Sequence, residues 1–216
     1  MPHTEKIRIY QELHIRLVYM DIALELATQL TSAMHETIDD TIFNALETVS
    51  RALNAYTCRI IVFSEREKMV DFMYPRLDIK PFYESLLGYD EGGRVDVMAD
   101  LSKRGYISVQ LQDIARSEAD LLRLKAQNIL IVPISQKSIF DYSGFMEVAF
   151  EEKTINSADI EFLKIVGIVM LGSIKRVEAE KQVGVERDAL SSAIKMTTKL
   201  LCETAKVGTT RLRAIP

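Results

Sequence analysis

Apolar residues recur with a helical period at both ends of the chain, whereas its middle consists of short runs of β-branched and aromatic residues. The first pattern predicts amphipathic helices and the second predicts strands. Because the two element types are segregated along the chain, the order favours an α+β fold with an antiparallel sheet. We expect a central sheet of about five or six strands with the N- and C-terminal helices packed on one face.

The first helix carries a heptad seam whose apolar positions alternate steps of four and three, the spacing of a helix that packs against a partner helix. Ile15, Val18, Ile22 and Leu26 form a second apolar face. This predicts that one face packs on its own domain while the other meets another chain. The alternative is a single helix buried all round in its own core. The seam comprises Leu13, Leu17, Met20, Leu24, Ala27, Thr31 and Met34.

A second helix and a hairpin follow. The helix repeats apolar residues from Ile38 to Leu53 and is expected to end at Asn54. The runs YTCRIIVFS (56–64) and MVDFMY (69–74) flank the charged SEREK and predict a β-hairpin. The first run is apolar on both faces, so we expect both of its faces to be covered.

The second half supplies further strands and a long helix. YISVQLQDI (106–114) is strand-like, and SEADLLRLKAQ (117–127) predicts an amphipathic helix. The strand-like NILIVPI (128–134) carries Pro133 near its end, where proline marks an edge, a bulge or a terminus. SGFMEVAFEEK (143–153) is a strand entered through Gly144, and a long helix begins after Asn156 or Ser157.

Composition and charge exclude several classes of partner. The net charge of −4 gives no electrostatic reason to expect nucleic acid. IVGIVMLGSI (165–174) is too short to span a membrane, and the N-terminus has no signal-peptide core. Cys58 and Cys202 form no CxxC and have no histidine nearby in sequence, so neither a disulfide nor a metal site is predicted. We expect a soluble, cytoplasmic protein.

Catalytic motifs are absent from the sequence. It contains no P-loop, no GxSxG and no HExxH, and its GYDEGG segment does not follow a strand and open a helix. Glu147, on a strand, and Glu151 and Glu152, at its end, are candidate acid–base groups, but carboxylates at strand ends are usually solvated. We therefore expect no enzyme and no catalytic residues.

The order NILIVPI, GFMEVAFEE and SADIEFLKIVGIVMLGSI resembles the GAF domain, a sensing and dimerisation module of signalling proteins. The family has an apolar strand ending in Val-Pro-apolar, a Gly-led strand and an acidic-capped helix across the sheet. YTCRIIVFSE and QDI fit as well, so the resemblance covers about residues 36–182. PAS domains share a similar sheet but lack long terminal helices placed this way. We expect an N-terminal helix (1–35), a GAF-like domain (36–182) and a C-terminal signalling helix and tail (183–216).

The resemblance implies a ligand pocket on the sheet face away from the terminal helices, where short helices and loops of residues 75–127 form a roof. Such a pocket is apolar with a few polar groups that orient the ligand. The alternative for each candidate is ordinary core or loop packing, and neither a ligand nor a cofactor can be identified from the sequence. The candidate ligand-binding residues are Phe72, Tyr74, Phe82, Tyr83, Gln110, Asp113 and Asn128.

Several GAF subtypes lose support from what the sequence lacks. Residues 140–162 have no Asn-Lys pair of the cyclic-nucleotide signature, and 75–127 contain no Cys or His to hold a bilin. His3, His14 and His35 precede the domain, where a surface role is more common than haem ligation. Sulfoxide-reducing relatives use paired cysteines, whereas here only Cys58 would be near the pocket.

Three functions remain open. The first is a sensory module that binds a small molecule and transmits through dimerised terminal helices to an output domain or partner such as a kinase or a diguanylate cyclase. The second is a dimerisation scaffold whose pocket is filled by its own side chains, and the third is a thiol-dependent methionine-sulfoxide-reductase-like enzyme. The apolar phase shifts near Gly184, which predicts a break or kink there before the C-terminal helix.

Overall fold

The computed structural model describes residues 3–63, 69–79, 104–110, 126–135, 142–151 and 153–212. The chain divides into two compact units, Met1–Ile174 and Lys175–Pro216. The first contains the sheet and its helices. The described part of the second is the later part of the long C-terminal helix.

Within these residues the elements are three helices and five strands. In sheet order the strands are β2, β1, β5, β4 and β3, and every neighbouring pair is antiparallel. This confirms the α+β prediction, with five strands described. The elements are α1 (His3–Ser32), α2 (Ile38–Leu53), β1 (Thr57–Phe63), β2 (Met69–Tyr74), β3 (Ile107–Gln110), β4 (Asn128–Ser135), β5 (Tyr142–Phe150) and α3 (Ser157–Leu212).

One face of the sheet is covered by helices. The register places Ile60 of β1 beside Met146 of β5, and side-chain direction alternates along a strand, so these residues share a face. A Cβ added to Gly167 of α3 would lie 2.9 Å from side-chain atoms of both Met146 and Ile134, so α3 packs closely on this face. α2 packs on β1 and β2. We call this side the helix face.

α1 packs on the other helices and has one buried stripe. Its Tyr19 ring stacks on Phe162 of α3, with ring centroids 4.5 Å apart. The predicted second face is only partly right, because Leu26 is buried whereas Ile15 and Val18 are exposed. The heptad that packs inward is shifted in phase and consists of Tyr19, Ala23, Leu26, Leu30 and Ala33.

At two positions in the core strands, the backbone arrangement explains which residue type is present. Pro133 pairs in register with Phe145 of β5, whereas the ladder between β4 and β3 reaches only Ile131. Among the described residues, the edge of β4 that faces β3 therefore has no ladder partner at Pro133. Proline is tolerated in a strand where one edge is unpaired. At Gly144, an added Cβ would lie 2.1 Å from the backbone oxygen of Ile61. Only glycine therefore fits where β5 approaches β1 this closely.

The helix ends follow local capping rules. α2 ends, as predicted, at Asn54, which adopts the left-handed conformation (φ 52°). At the start of α3 the Asn156 side chain accepts a bond from the Asp159 amide, and the Asp159 carboxylate accepts one from the Asn156 amide, both at 3.0 Å. The break predicted at Gly184 is wrong, because α3 runs through it as one helix.

The described residues offer neither a membrane-crossing helix nor a metal cluster. Among them, no helix combines the length and the apolar character that a membrane span requires. The same part of the chain holds no group of three or more His, Cys, Asp or Glu side chains placed to bind a metal ion.

Candidate functional site

An arginine occupies the middle of the sheet on the face opposite the helices. Arg59 of β1 lies in register with Met73 of β2 and Glu147 of β5, and only 3% of it is exposed. The alternation along β1 turns it away from the helix face. We call this opposite side the open face of the sheet.

Two carboxylates flank the Arg59 guanidinium. Its Nε is 2.9 Å from Asp71 Oδ1, and its Nη1 is 3.7 Å from Glu147 Oε2. The third nitrogen, Nη2, donates to the backbone oxygen of Ile79 at 2.6 Å. Glu147 is 1% exposed, so its carboxylate is buried within the sheet.

The arginine is charged, buried and incompletely hydrogen-bonded. Although Nε is close to Asp71, its N–H is not aligned for a hydrogen bond, and neither Nε nor Nη1 has a hydrogen-bond partner among the described residues. A buried donor without an acceptor loses its hydration without replacement, at a cost of about 1–3 kcal/mol. The two carboxylates compensate the charge by proximity while leaving these donor directions unused.

A cavity of about 330 Å³ adjoins this cluster at the β2 edge of the sheet. Its wall combines charged and apolar side chains, and the Arg76 guanidinium lies 4.8 Å from the centroid of the Phe43 ring. The volume is at the lower end of the range for small-molecule sites. The lining residues are Asp39, Phe43, Arg59, Asp71, Phe72, Met73, Arg76 and Leu77.

The rest of the open face is an apolar cluster. Phe63 and Phe145 meet edge to face, with centroids 5.9 Å apart. Leu77, Ile79 and Ala126 pack on it. They are the described ends of the segment expected to form a roof. The buried members are Met73, Ile79, Ile107, Ala126, Ile129, Ile131, Phe145 and Ala149.

The structure distributes the sequence-predicted site residues over different places. Phe72 lines the cavity. The Tyr74 hydroxyl donates to Glu47 at 3.0 Å, which raises the Tyr74 pKa, and the Asn128 amide donates to the Lys153 backbone oxygen at 3.4 Å. Tyr74 and Asn128 both belong to the helix face by register and are not among the lining residues.

The remaining candidates are described in part or not at all. The backbone of Gln110 ends β3, and Phe82, Tyr83 and Asp113 lie outside the described residues. A ligand-binding role for any of the seven residues therefore remains a prediction.

Sequence reasoning missed the charged members of the site. The signal was present, because Arg59 interrupts the otherwise apolar run TCRIIVF and Glu147 interrupts GFMEVAF. Arginine and glutamate are almost never fully buried unless they are paired. Two opposite charges on strands predicted to be covered on both faces therefore indicate a buried pair. Neither the pairing of β1 with β5 nor the nearby cavity could be read from composition.

Cys58 is poorly placed for catalysis. The thiol is fully buried on the helix face, opposite to Arg59, and burial raises its pKa well above the usual value. A thiol held protonated is a weak nucleophile. Its position therefore weighs against the thiol-dependent mechanism considered from the sequence.

The three helices meet around a buried carboxylate. Asp159 of α3 accepts a bond at 2.7 Å from the Tyr19 hydroxyl of α1 and one at 2.9 Å from the Lys153 ammonium. Lys153 also donates to the Leu53 backbone oxygen at the end of α2, at 3.0 Å. Burial and the bond to Asp159 raise the pKa of Tyr19. These bonds connect the three helices through Asp159 and Lys153.

The heptad seam of α1 faces solvent in this chain. Leu13, Leu17, Met20 and Leu24 are 51% to 69% exposed, and Tyr10 continues the same spacing towards the N-terminus. The alternative of a helix buried all round is therefore wrong. We call these five residues the α1 stripe.

Solved structures with the same fold are GAF domains and a related enzyme. The GAF domain of a phosphoenolpyruvate-protein phosphotransferase from Coxiella burnetii matches with a TM-score of 0.57 at 12% identity, over 77% of this chain and 98% of that chain. The GAF domain of a putative sensor histidine kinase from Pseudomonas syringae pv. tomato matches at 0.52 and 8% identity, over 82% and 99%.

The third structure is a free methionine-R-sulfoxide reductase from Neisseria meningitidis, solved with its substrate. It matches with a TM-score of 0.52 at 14% identity, over 78% of this chain and 93% of that chain. No protein-family model matches the sequence, and no curated protein matches it either. At these identities the likeness concerns the fold, and the fold of this chain is that of a GAF domain.

Proposed function

We propose that this chain is a sensory module that binds a small molecule beside Arg59 and transmits its occupancy through α1 and α3 in a homodimer. The observation that carries the proposal is the buried arginine with unused donors next to a cavity. A scaffold filled by its own side chains would gain nothing from such a group, because an apolar residue of similar size would be less costly there.

The route of transmission is supported by contacts at both ends. The cavity wall includes Asp39 and Phe43 of α2, and the end of α2 bonds to Lys153, which bonds to Asp159 of α3. A ligand changes helix positions only if it binds one arrangement more tightly than the other. A ligand in this cavity would contact α2 directly, so its affinity would depend on the position of that helix.

An output domain or partner belongs to this proposal. One structure of the same fold is the GAF domain of a putative sensor histidine kinase. By analogy, helices α1 and α3 would pass the signal to a kinase, or to another output such as a diguanylate cyclase. The alternative function is a dimerisation scaffold without a ligand. The α1 stripe supports this alternative, but the cavity beside Arg59 does not.

Native mass spectrometry of the purified protein tests the proposal. We expect twice the chain mass of 24.5 kDa together with the mass of a small molecule, either carried through purification or added from a metabolite mixture. Mild collisional activation should release the small molecule for identification. A dimer that takes up no compound from either source would contradict the sensory function and favour the scaffold.

A further inference from the structure

An exposed apolar patch lies on α3 within the first unit. Ile165 and Ile168 are 41% and 46% exposed, and Gly172, one turn further, is exposed as well. Steps of three and four residues place them on one face of the helix. A Cβ added to Gly172 would meet no atom of the described residues within 4 Å, so their packing does not require a glycine there. We call these three residues the α3 patch.

α1 and the start of α3 run side by side in the same direction. Arg16 donates to Ser157 Oγ at 3.2 Å and pairs with Glu161, whereas Tyr19, three residues later, stacks on Phe162. The contacts advance along both helices together, so the two helices are parallel. The side chains of the Arg16–Glu161 ion pair are 38% and 55% exposed, which places the pair on the outer side of the two helices.

The α3 patch and the α1 stripe form one surface. Met20 follows Arg16 by four residues and Ile165 follows Glu161 by four, so each lies one turn beyond the ion pair on the same face of its helix. The exposed apolar side chains of the stripe and the patch amount to roughly 800 Å², the area that one partner contributes to an interface of standard size. Apolar surfaces of this extent mark interaction sites.

The two borders of this surface carry opposite charge. Asp21 and Glu25 are exposed and lie about 140° and 180° around α1 from Arg16, on the side away from α3. Lys164 lies about 200° around α3 from Phe162, on the side away from α1. The surface is therefore acidic at its α1 border and basic at its α3 border.

These charges select among the partners that an apolar surface could take. A membrane rich in anionic lipids would be repelled by Asp21 and Glu25. In a homodimer whose two-fold axis runs parallel to the helices, α1 of each chain faces α3 of the other, and each acidic border meets a basic border. With the axis across the helices, α1 would face α1 and the two acidic borders would meet, which is unfavourable.

Resting on the proposed function, we infer that the partner is a second copy of this chain, with α1 of each chain packed against the α3 patch of the other and the four helices parallel. Asp21 of one chain then lies near Lys164 of the other, since both follow the Arg16–Glu161 ion pair by about one turn. Gly172 gives α1 of the second chain room to approach closely. Glycine weakens a helix, so this position is explained by the interface rather than by α3 itself.

Replacing Gly172 tests the interface without disturbing the packing of the chain itself. We expect Gly172→Leu to raise the dimer dissociation constant about tenfold in analytical ultracentrifugation, because the added side chain overpacks the contact with the partner helix. Gly184→Leu is the matched control, since a Cβ added there also meets no atom of the described residues within 4 Å. Equal dissociation constants for the two variants would overturn the inference.

Charge reversal tests which helices face each other. We expect Asp21→Lys and Lys164→Glu each to weaken dimerisation about fivefold at low salt. The combined variant should recover the wild-type dissociation constant, because it restores the pair with exchanged signs. If Asp21→Lys alone strengthened the dimer, the acidic borders would meet and the inference would fall. A combined variant no tighter than the single variants would overturn it as well.

The inference and the proposed function can fail separately. If the wild type is a dimer that binds a small molecule but none of these variants changes its dissociation constant, the sensory function stands and this interface falls. If the variants behave as expected but no compound binds in native mass spectrometry, the interface stands and the sensory function falls. A monomeric wild type would overturn both.

Discussion

At the scale of single residues, Tyr19 links the outer helix to the core by one hydrogen bond to buried Asp159. A bond to a charged group contributes about 1.5–3 kcal/mol. We expect Tyr19→Phe to lower the free energy of unfolding by this amount at pH 7, measured by urea denaturation. Tyr10→Phe is the matched control, because Tyr10 is 70% exposed, and should change stability little.

The same tyrosine gives the pH dependence a definite sign. Its pKa is raised in the folded state by burial and by Asp159, so the folded protein retains a proton that the unfolded chain releases above its ordinary pKa of about 10. The contribution of Tyr19 to the free energy of unfolding is therefore fully present below about pH 10 and declines as the pH rises further. The difference between wild type and Tyr19→Phe should shrink above that pH. A constant difference would show that the bond does not carry the effect.

Arg59 shows where residue-scale prediction from sequence stops. Its charge within an apolar strand was visible, but strand pairing decides whether such a residue meets opposite charges or solvent. Glu147 lies far away in sequence and directly across in register. The pairing is a property of the sheet, so no local pattern around either residue could supply it.

At the scale of elements, the start of α3 is fixed by a reciprocal cap between Asn156 and Asp159. Replacing an N-cap residue by alanine costs about 0.5–2 kcal/mol. We expect Asn156→Ala to destabilise the protein by about 1 kcal/mol in chemical denaturation. Thr37→Ala, at the start of α2, should cost less, because the Thr37 side chain does not cap the helix and bonds only to the backbone of exposed Met34, at 3.2 and 3.3 Å. A larger loss at Thr37 would contradict this account of the cap.

Element type and order were predictable because period and capping are local. The helices, the hairpin of β1 and β2, and the end of α2 at Asn54 all follow from residues adjacent in sequence. The inner face of α1 was less predictable. Tyr19 and Ala23 replace the expected Ile15 and Val18, because the buried side of a helix depends on where its neighbours lie. The break expected at Gly184 did not form, since glycine weakens a helix without stopping it.

At the scale of the whole molecule, the exposed helical surfaces of each unit need an explanation. In the first unit the α1 stripe has heptad spacing, and in the second every side chain from Glu178 to Lys199 is exposed. Val183, Leu190 and Ile194 keep heptad spacing along this later part of α3. Isolated helices are marginal in water, and heptad surfaces are buried when two helices pair. Because a second copy of the chain offers the same surfaces, we expect both to be covered in a homodimer.

Charged substitutions in the α1 stripe test that pairing. We expect Leu17→Asp/Leu24→Asp to shift the mass in solution, measured by light scattering after size exclusion, from two chains to the 24.5 kDa of one. The cause is the cost of burying carboxylates without partners between helices. Gln11→Asp/Val18→Asp adds the same charge to exposed α1 positions outside the stripe and should remain dimeric. Leu190→Asp/Ile194→Asp, on the exposed later part of α3, is combined with the stripe variant to remove both proposed pairing surfaces at once. If the combined variant stays dimeric with unchanged helix content by circular dichroism, these two surfaces are not the interface.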